Sequence, residues 1–218
     1  MPEEARPSRL PPGRLPTRTP LGAVVLDRPA TLRDLEHLPP IWRGELIHGT
    51  IYAFPRPEAP HQHVRGMISR DLRDPFDHPR SGAGGWWMLG EPGITHPLAE
   101  EYSPDIAGWR RERLAHLPRN TAITVVPDWI CEVLSSGTRG YDLVIKRRFY
   151  AEIGVSHLWY VDPPARVITA SKLVSGRWVE TGAWCNDERA RIEPFEAAEL
   201  DLSAWWEGID EGPEDQDE

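Results

Sequence analysis

Apolar positions recur with two different periods along this chain, and the points where one period gives way to the other mark out its elements. From Thr31 the order T-L-R-D, followed by Leu35 and Leu38, gives an N-cap and a short amphipathic helix stopped by Pro39 and Pro40. RGELIHGTIYAFP then reads as two strands around a His48-Gly49 turn, with Glu45 near the start of the first. Beyond Pro60 the spacing becomes helical. Val64, Met67, Ile68, Asp71 and Leu72 share an arc with His61, and this helix is expected to end before Pro75. Residues 74–85 read as loop, 86–89 as a strand, the stretch after Gly90 as a second loop, and 102–109 as one further strand.

After a basic connector, residues 121–126 and 128–134 form two β-branched, apolar runs broken at Pro127; their near-continuous hydrophobicity predicts strands covered on both faces. Thr138 is the candidate cap of a helix that ends at Gly154. Residues 157–161 form a strand closed by Asp162 and two prolines, 166–174 and 177–184 a hairpin turning at Ser175-Gly176, and 200–209 a last short helix. There is no internal repeat. Strands alternating with helices in one chain predict an α/β fold, a mixed sheet with helices on both sides.

At 218 residues and 39% hydrophobic content, one well-buried domain is expected, spanning residues 23–209. Residues 1–22, with six prolines and four arginines but little to bury, read as a flexible arm, and 210–218, with six carboxylates and no base, as a disordered tail. The formal charge of −9 argues against a general polyanion-binding surface, so any contact with nucleic acid must be local. Two cysteines are too few for a disulfide framework or a thiolate metal cage, which suits a reducing cytoplasm. The amino terminus lacks an apolar leader, and no run approaches the ~20 apolar residues of a membrane span, so a soluble, unprocessed chain is expected.

The candidate chemistry lies between Ser103 and Tyr150. In a strand at 128–134, Ile130, Glu132 and Leu134 face one side while Trp129, Cys131 and Val133 face the other. A carboxylate among such neighbours requires a cation. The next helix supplies one: at 100° per residue, Asp142, Leu143, Ile145, Lys146, Phe149, Tyr150 and Ile153 fall in one arc, and Arg147, Arg148 and Glu152 outside it. The plain alternative is an Asp142/Lys146 pair one turn apart, or a lysine lying along the edge of the core. Asp105 follows Pro104 in another strand-like run and stands 27 residues before Glu132. Asp105, Glu132 and a backbone carbonyl are hard oxygen donors suited to Mg2+ or Mn2+, and a nearby lysine can orient an attacking water and offset growing negative charge.

The ordered series ELIHG, APHQHV, SPDIAGW, PDWICEVLS, D-x-x-x-K-x-x-x-Y from Asp142 to Tyr150, and GVSHLWYVDP resembles the Uma-type restriction-endonuclease family, a branch of the PD-(D/E)xK nuclease superfamily, over residues 30–185. The resemblance implies a restriction-endonuclease-like single domain. It further implies that Asp105 and Glu132, with the Val133 carbonyl, hold Mg2+ or Mn2+ for hydrolysis of DNA phosphodiesters. The superfamily's E-x-K lysine is replaced here by Leu134, and the resemblance transfers its role to Lys146. Glu45 and His61 match the family's early glutamate and the histidine that opens its first core helix. A homodimer is implied because cutting both strands favours two sites.

Basic clusters at Arg110, Arg111, Arg113 and Arg119, at Arg139, Arg147 and Arg148, and at Arg65, Arg70 and Arg73 are candidates for a phosphate-binding collar. Solvated helix faces are the alternative. His63, Asp128 and Asp162 read as structural, and the Trp86-Trp87 and Trp205-Trp206 pairs as packing. Two other functions remain open: a catalytically silent module that binds nucleic acid or a partner, and a metal-dependent hydrolase of RNA or another phosphate ester.

Overall fold

A computed structural model describes residues 17–26, 28–78, 84–119 and 121–209. The expected arm, apart from residues 17–22, and the expected acidic tail lie outside the described residues. Strands β1 (Trp42–Ile47) and β2 (Thr50–Pro55) form the expected hairpin. Its turn takes φ of 50° at His48 and 68° at Gly49, the doubly positive geometry whose twist matches the strands it joins. Helix α1 (Leu32–Glu36) precedes it, with the Asp34 carboxylate accepting from the Thr31 N–H as a capping box requires.

Helix α2 (Ala59–Leu72) buries Val64, Ile68 and Leu72, as the period predicts. Pro75 does not end the winding: a π-helical turn, Arg73–Asp77, continues through it. This turn buries Phe76 against Phe195, with ring centroids 4.8 Å apart, and the wider winding tolerates the missing N–H that would break an α-helix.

Strands β3 (Trp86–Gly90), β4 (Ile94–His96), β5 (Ala99–Tyr102) and β6 (Ile106–Arg110) follow. The expected single strand over 102–109 is therefore two strands in two different sheets, because Pro104 interrupts the ladder at the bend between them. The expected loop after Gly90 holds β4 and β5, short strands whose period is too brief to read. Residues 121–126 contribute only an isolated bridge from Ile123 to Ile94, although the segment is β-branched.

Strand β7 (Trp129–Val133) is buried along its whole length. It runs parallel to β8 (His157–Asp162), a pairing that needs a crossover. The crossover is a π-helical turn, Tyr141–Lys146, running into α3 (Arg147–Ile153). Strands β9 (Val167–Val174) and β10 (Arg177–Cys185) make the expected hairpin. Within 200–209, where a helix is expected, Leu200–Asp201 instead forms β12 paired to β11 (Arg189–Ala190), and only Ser203–Trp206 is helical, as α4.

The large sheet has the order β10-β9-β8-β7-β6-β3, and the smaller antiparallel sheet β2-β1-β5-β4. Trp129, Cys131 and Val133 face α2, Trp159 and Trp205, whereas Ile130 and Leu134 face Phe149 and Tyr150 of α3 together with Ile47 and Tyr102 of the smaller sheet. The mixed α/β single-domain fold, with helices on both sides of the large sheet, is as expected. Both cysteines are free, and burial pushes the Cys131 thiol up.

At the centre of β6, Gly108 lets the Trp86 and Trp129 rings lie against the backbone. A Cβ there would stand 3.2 Å from Trp129, 3.2 Å from the Met88 sulfur and 3.3 Å from Trp86. Gly108→Val is expected to lower stability by ~1–3 kcal/mol through overpacking, measured by denaturant unfolding.

Candidate active site

Five segments bring their polar side chains to one place. On β1, Glu45 shares a face with Ile47, which packs toward α3, so alternation turns the carboxylate inward. His61 lies in the first turns of α2 and is buried. Asp105 sits at the bend between β5 and β6, where the chain passes from one sheet to the other. Glu132 occupies the face of β7 that the crossover helix covers. The π-helical turn brings Tyr141, Asp142 and Lys146 to the buried side together, while Leu143, Val144 and Ile145 stay half-buried, a grouping that a regular 100° winding does not give.

The Lys146 ammonium stands 2.7 Å from Glu132 Oε1, 3.2 Å from Glu45 Oε1 and 3.9 Å from Asp142 Oδ1, and it donates to the Ser103 carbonyl at 3.4 Å. Glu132 Oε1 also accepts from the Tyr150 hydroxyl at 2.5 Å, and its Oε2 accepts from the Asp105 N–H at 3.1 Å. Asp105 Oδ2 accepts from the Val133 N–H at 2.8 Å and lies 3.0 Å from His61 Nε2. All five sequence-predicted side chains, Glu45, His61, Asp105, Glu132 and Lys146, therefore converge. Val133 reaches the group through its N–H, which donates to Asp105. Asp142, which the sequence pairs only with Lys146, joins the same group, as does Tyr150. The spacing of Asp142, Lys146 and Tyr150 at four-residue steps is the signal that puts all three on one helix face.

The electrostatics follow from the count. Glu45, Asp105, Glu132 and Asp142 face one ammonium and one imidazole in a nearly dry place. Burial pushes the Glu132 carboxyl well above the usual range, opposed by Lys146 and reinforced by the Asp105, Asp142 and Glu45 charges. Asp142 is raised to about 7 by burial, opposed by Lys146 and reinforced by Asp105. Asp105 differs: burial would raise it, but the His61 hydrogen bond and charge, Lys146 and the Val133 N–H together hold it below the ordinary range. Lys146 is disfavoured as a cation by burial, yet the surrounding carboxylates hold its pKa well above the usual value, so it is an ammonium at neutral pH.

The donor set fits a hard divalent cation by its chemistry. Asp105, Glu132 and Glu45 are oxygen donors, their negative charge exceeds the local positive charge, and Glu45 Oε2 is buried with no hydrogen-bond partner. Among the described residues there is no group of three or more His, Cys, Asp or Glu side chains already spaced to hold a metal ion. The Lys146 ammonium stands between the carboxylates.

The group lies at the bottom of a cleft of ≈ 800 Å³. One wall carries Trp42, Tyr52 and Phe54, and the Tyr52 ring stacks on Tyr141 at 4.7 Å. Among the described residues the expected collar is not found there. Arg110 lies over Trp86, Arg111 pairs with Asp77 and lies over Trp87, Arg113 pairs with Asp128, Arg70 with Asp71, Arg73 with Asp77 and Arg139 with Asp162. Each is committed to a local partner, and none lines the cleft; Arg65 comes to its rim through Glu91. The arginines that do line it are Arg43, paired with Glu91, and Arg56. Asp128 and Asp162 are structural as expected, Asp128 accepting from the Arg110 N–H and Asp162 from the Ala165 N–H, and His63 is exposed. The tryptophan pairs are packing: Trp86, Trp205 and Trp206 are buried, and Trp87 donates to the Leu114 carbonyl.

Residues 29–204 match the family model Uma2, described as "Putative restriction endonuclease". A crystal structure of a "putative nuclease belonging to DUF820" from Anabaena variabilis superposes with a TM-score of 0.63, covering 82% of this chain and 98% of that one at 19% identity, a likeness of fold. No curated protein matches the chain. Among the described residues no helix is long and apolar enough to cross a membrane.

A carboxyl with a pKa raised on folding contributes stability that is full below its unfolded value and is lost as pH rises through its folded value. For Asp142 that window runs from 3.8 to about 7. In chelator-treated protein, the wild type is therefore expected to lose stability relative to Asp142→Asn across this range, by a few kcal/mol on the order-of-magnitude scale, and to run parallel to it above. Melting temperatures of both proteins across pH 4–9 check this; parallel curves throughout contradict it.

Proposed function

This chain belongs to the Uma2 restriction-endonuclease family, and from that premise we propose that it is a metal-dependent endonuclease hydrolysing DNA phosphodiester bonds. The observation that carries the proposal is the convergence of Asp105 and Lys146 on Glu132, from a strand bend and the crossover helix onto a central strand: the Glu132 carboxylate accepts from the Asp105 N–H and pairs with the Lys146 ammonium. A purely structural core has no use for four carboxylates around one lysine, because burying each charge costs several kcal/mol.

In this reading Asp105, Glu132 and the Val133 carbonyl hold Mg2+ or Mn2+, with Glu45 within reach of the same place. When bound, the metal supplies Lewis-acid polarisation of the phosphate and a more acidic water. Lys146, an ammonium at neutral pH, acts as a donor: it orients the attacking water and offsets charge that grows on the phosphoryl oxygens, and it is not the base. The Glu45 carboxylate, with one oxygen unpartnered, is placed to accept a proton from that water. His61 fixes the Asp105 carboxylate through Nε2, and Tyr150 fixes Glu132 through its hydroxyl. A cytoplasmic homodimer, with one site for each strand to be cut, belongs to the same proposal.

In a plasmid-nicking assay with Mn2+ or Mg2+, Asp105→Asn, Glu132→Gln and Lys146→Met are each expected to lose at least ~100-fold in rate. Chelation is expected to abolish cutting by the wild type. Nicking that persists unchanged in Asp105→Asn rejects the site. Salt-sensitive DNA binding without any cutting favours a silent nucleic-acid-binding module.

A further inference from the structure

We propose that the strand this cleft accepts is unpaired DNA, so that the substrate is a single strand or a single-stranded extension rather than continuous duplex. The inference rests on the nuclease reading and deepens it. Three observations carry it.

The first is depth. The side chains of Glu132 and Lys146 are 2% and 4% exposed, and those of Asp105 and Glu45 15%. A scissile phosphate must reach the floor of the cleft to meet them. In duplex DNA each backbone is part of a stiff rod, whereas an unpaired backbone can bend inward.

The second is charge. Duplex DNA carries about one charge per 1.7 Å and depends on a cationic collar to displace its counterions. Here Glu36, Glu58, Glu91 and Glu101 line the cleft, and of the two lining arginines Arg43 is already paired with Glu91. Among the described residues, none of the arginines of the sequence clusters lines the cleft. Such a rim repels the denser polyanion more strongly.

The third is the wall. Trp42, Tyr52 and Phe54 are half-buried rings along one side. One face of Trp42 is taken by the Arg18 guanidinium at 4.2 Å, and Tyr52 and Phe54 pack on Tyr141, so an incoming base has only their remaining faces. Arg56, exposed beyond them, donates to the Pro40 carbonyl at 3.3 Å. Rings beside an arginine are the means by which proteins hold unpaired bases, whose faces are free to stack only when they are not in a duplex. These rings compensate for the missing collar only if the incoming bases are unpaired.

The test uses the full chain and one labelled DNA sequence as single strand, blunt duplex and duplex with an unpaired 3′ extension. Fluorescence anisotropy in Ca2+ is expected to show the single strand bound at least ~10-fold tighter than the blunt duplex at equal salt, since stacking adds to an otherwise weak electrostatic attraction. Trp42→Leu is expected to weaken single-strand binding several-fold and leave duplex binding unchanged. Arg56→Ala, at an exposed position whose side chain makes only 3.3 Å hydrogen bonds to the Pro40 carbonyl, is expected to lower the single-strand salt slope by ~0.7. In Mn2+, cuts are expected within the unpaired extension. Duplex bound as tightly as single strand, or cut internally as fast, overturns the proposal. Absence of cutting on every substrate counts against the nuclease reading instead, and the binding order still decides this one.

Discussion

One ammonium outnumbered by carboxylates is the constraint on which this structure turns. Lys146 touches Glu132 and Glu45 and lies near Asp142, while Asp105 is held separately by His61 and the Val133 N–H. Taking a carboxylate out of water costs several kcal/mol even after relaxation. The chain meets that cost in three ways: it pairs what it can with Lys146, gives Glu132 and Asp105 backbone N–H donors, and leaves Glu132 and Asp142 with a raised affinity for protons. Protons and a divalent cation answer the same excess of negative charge. The group is therefore an acidic cluster whose oxygen donors suit a hard divalent cation.

Two departures from regular geometry build it. Pro104 interrupts what would otherwise be one strand, and the chain uses the break to cross from the small sheet to the large one. Asp105 then meets the edge of β7 with its N–H toward Glu132 and its carboxylate toward Val133. On the opposite element, π winding at Tyr141–Lys146 adds Tyr141 to the inward face that Asp142 and Lys146 share. Around these irregular pieces the packing is ordinary: β7 is buried on both faces, clamped by α2 on one side and by α3 with the smaller sheet on the other. Rigid neighbours allow a strained electrostatic centre to persist.

Much of this was legible in the sequence. The alternation in PDWICEVLS places Glu132 on the helix-covered face, and the four-residue steps from Asp142 to Tyr150 identify the inward face of the crossover helix. The order of the motifs also points to the fold. What local pattern could not show was where the ladder breaks. Residues 102–109 are apolar enough to read as one strand, and 121–126 are β-branched yet pair only at Ile123, because strand identity depends on partners that a single segment does not contain. The α-helix does stop at Leu72, before Pro75, but a π-helical turn that buries Phe76 carries the winding on to Asp77, which the sequence pattern does not show. The arginine clusters mislead in a similar way: their charges are visible in the sequence, but the aspartates that pair with Arg111, Arg113 and Arg139 lie well away along the chain.

The central claim, that this buried excess of carboxylate is a divalent-cation site, is tested most directly by calorimetric titration of Mn2+ into chelator-treated protein at pH 7, in two buffers of different ionisation enthalpy. The account predicts one saturable site per chain that releases protons as Glu132 and Asp142 give them up to the metal, and its loss in Glu132→Gln. Binding of equal strength and stoichiometry in that variant, or no saturable heat in the wild type, would contradict it.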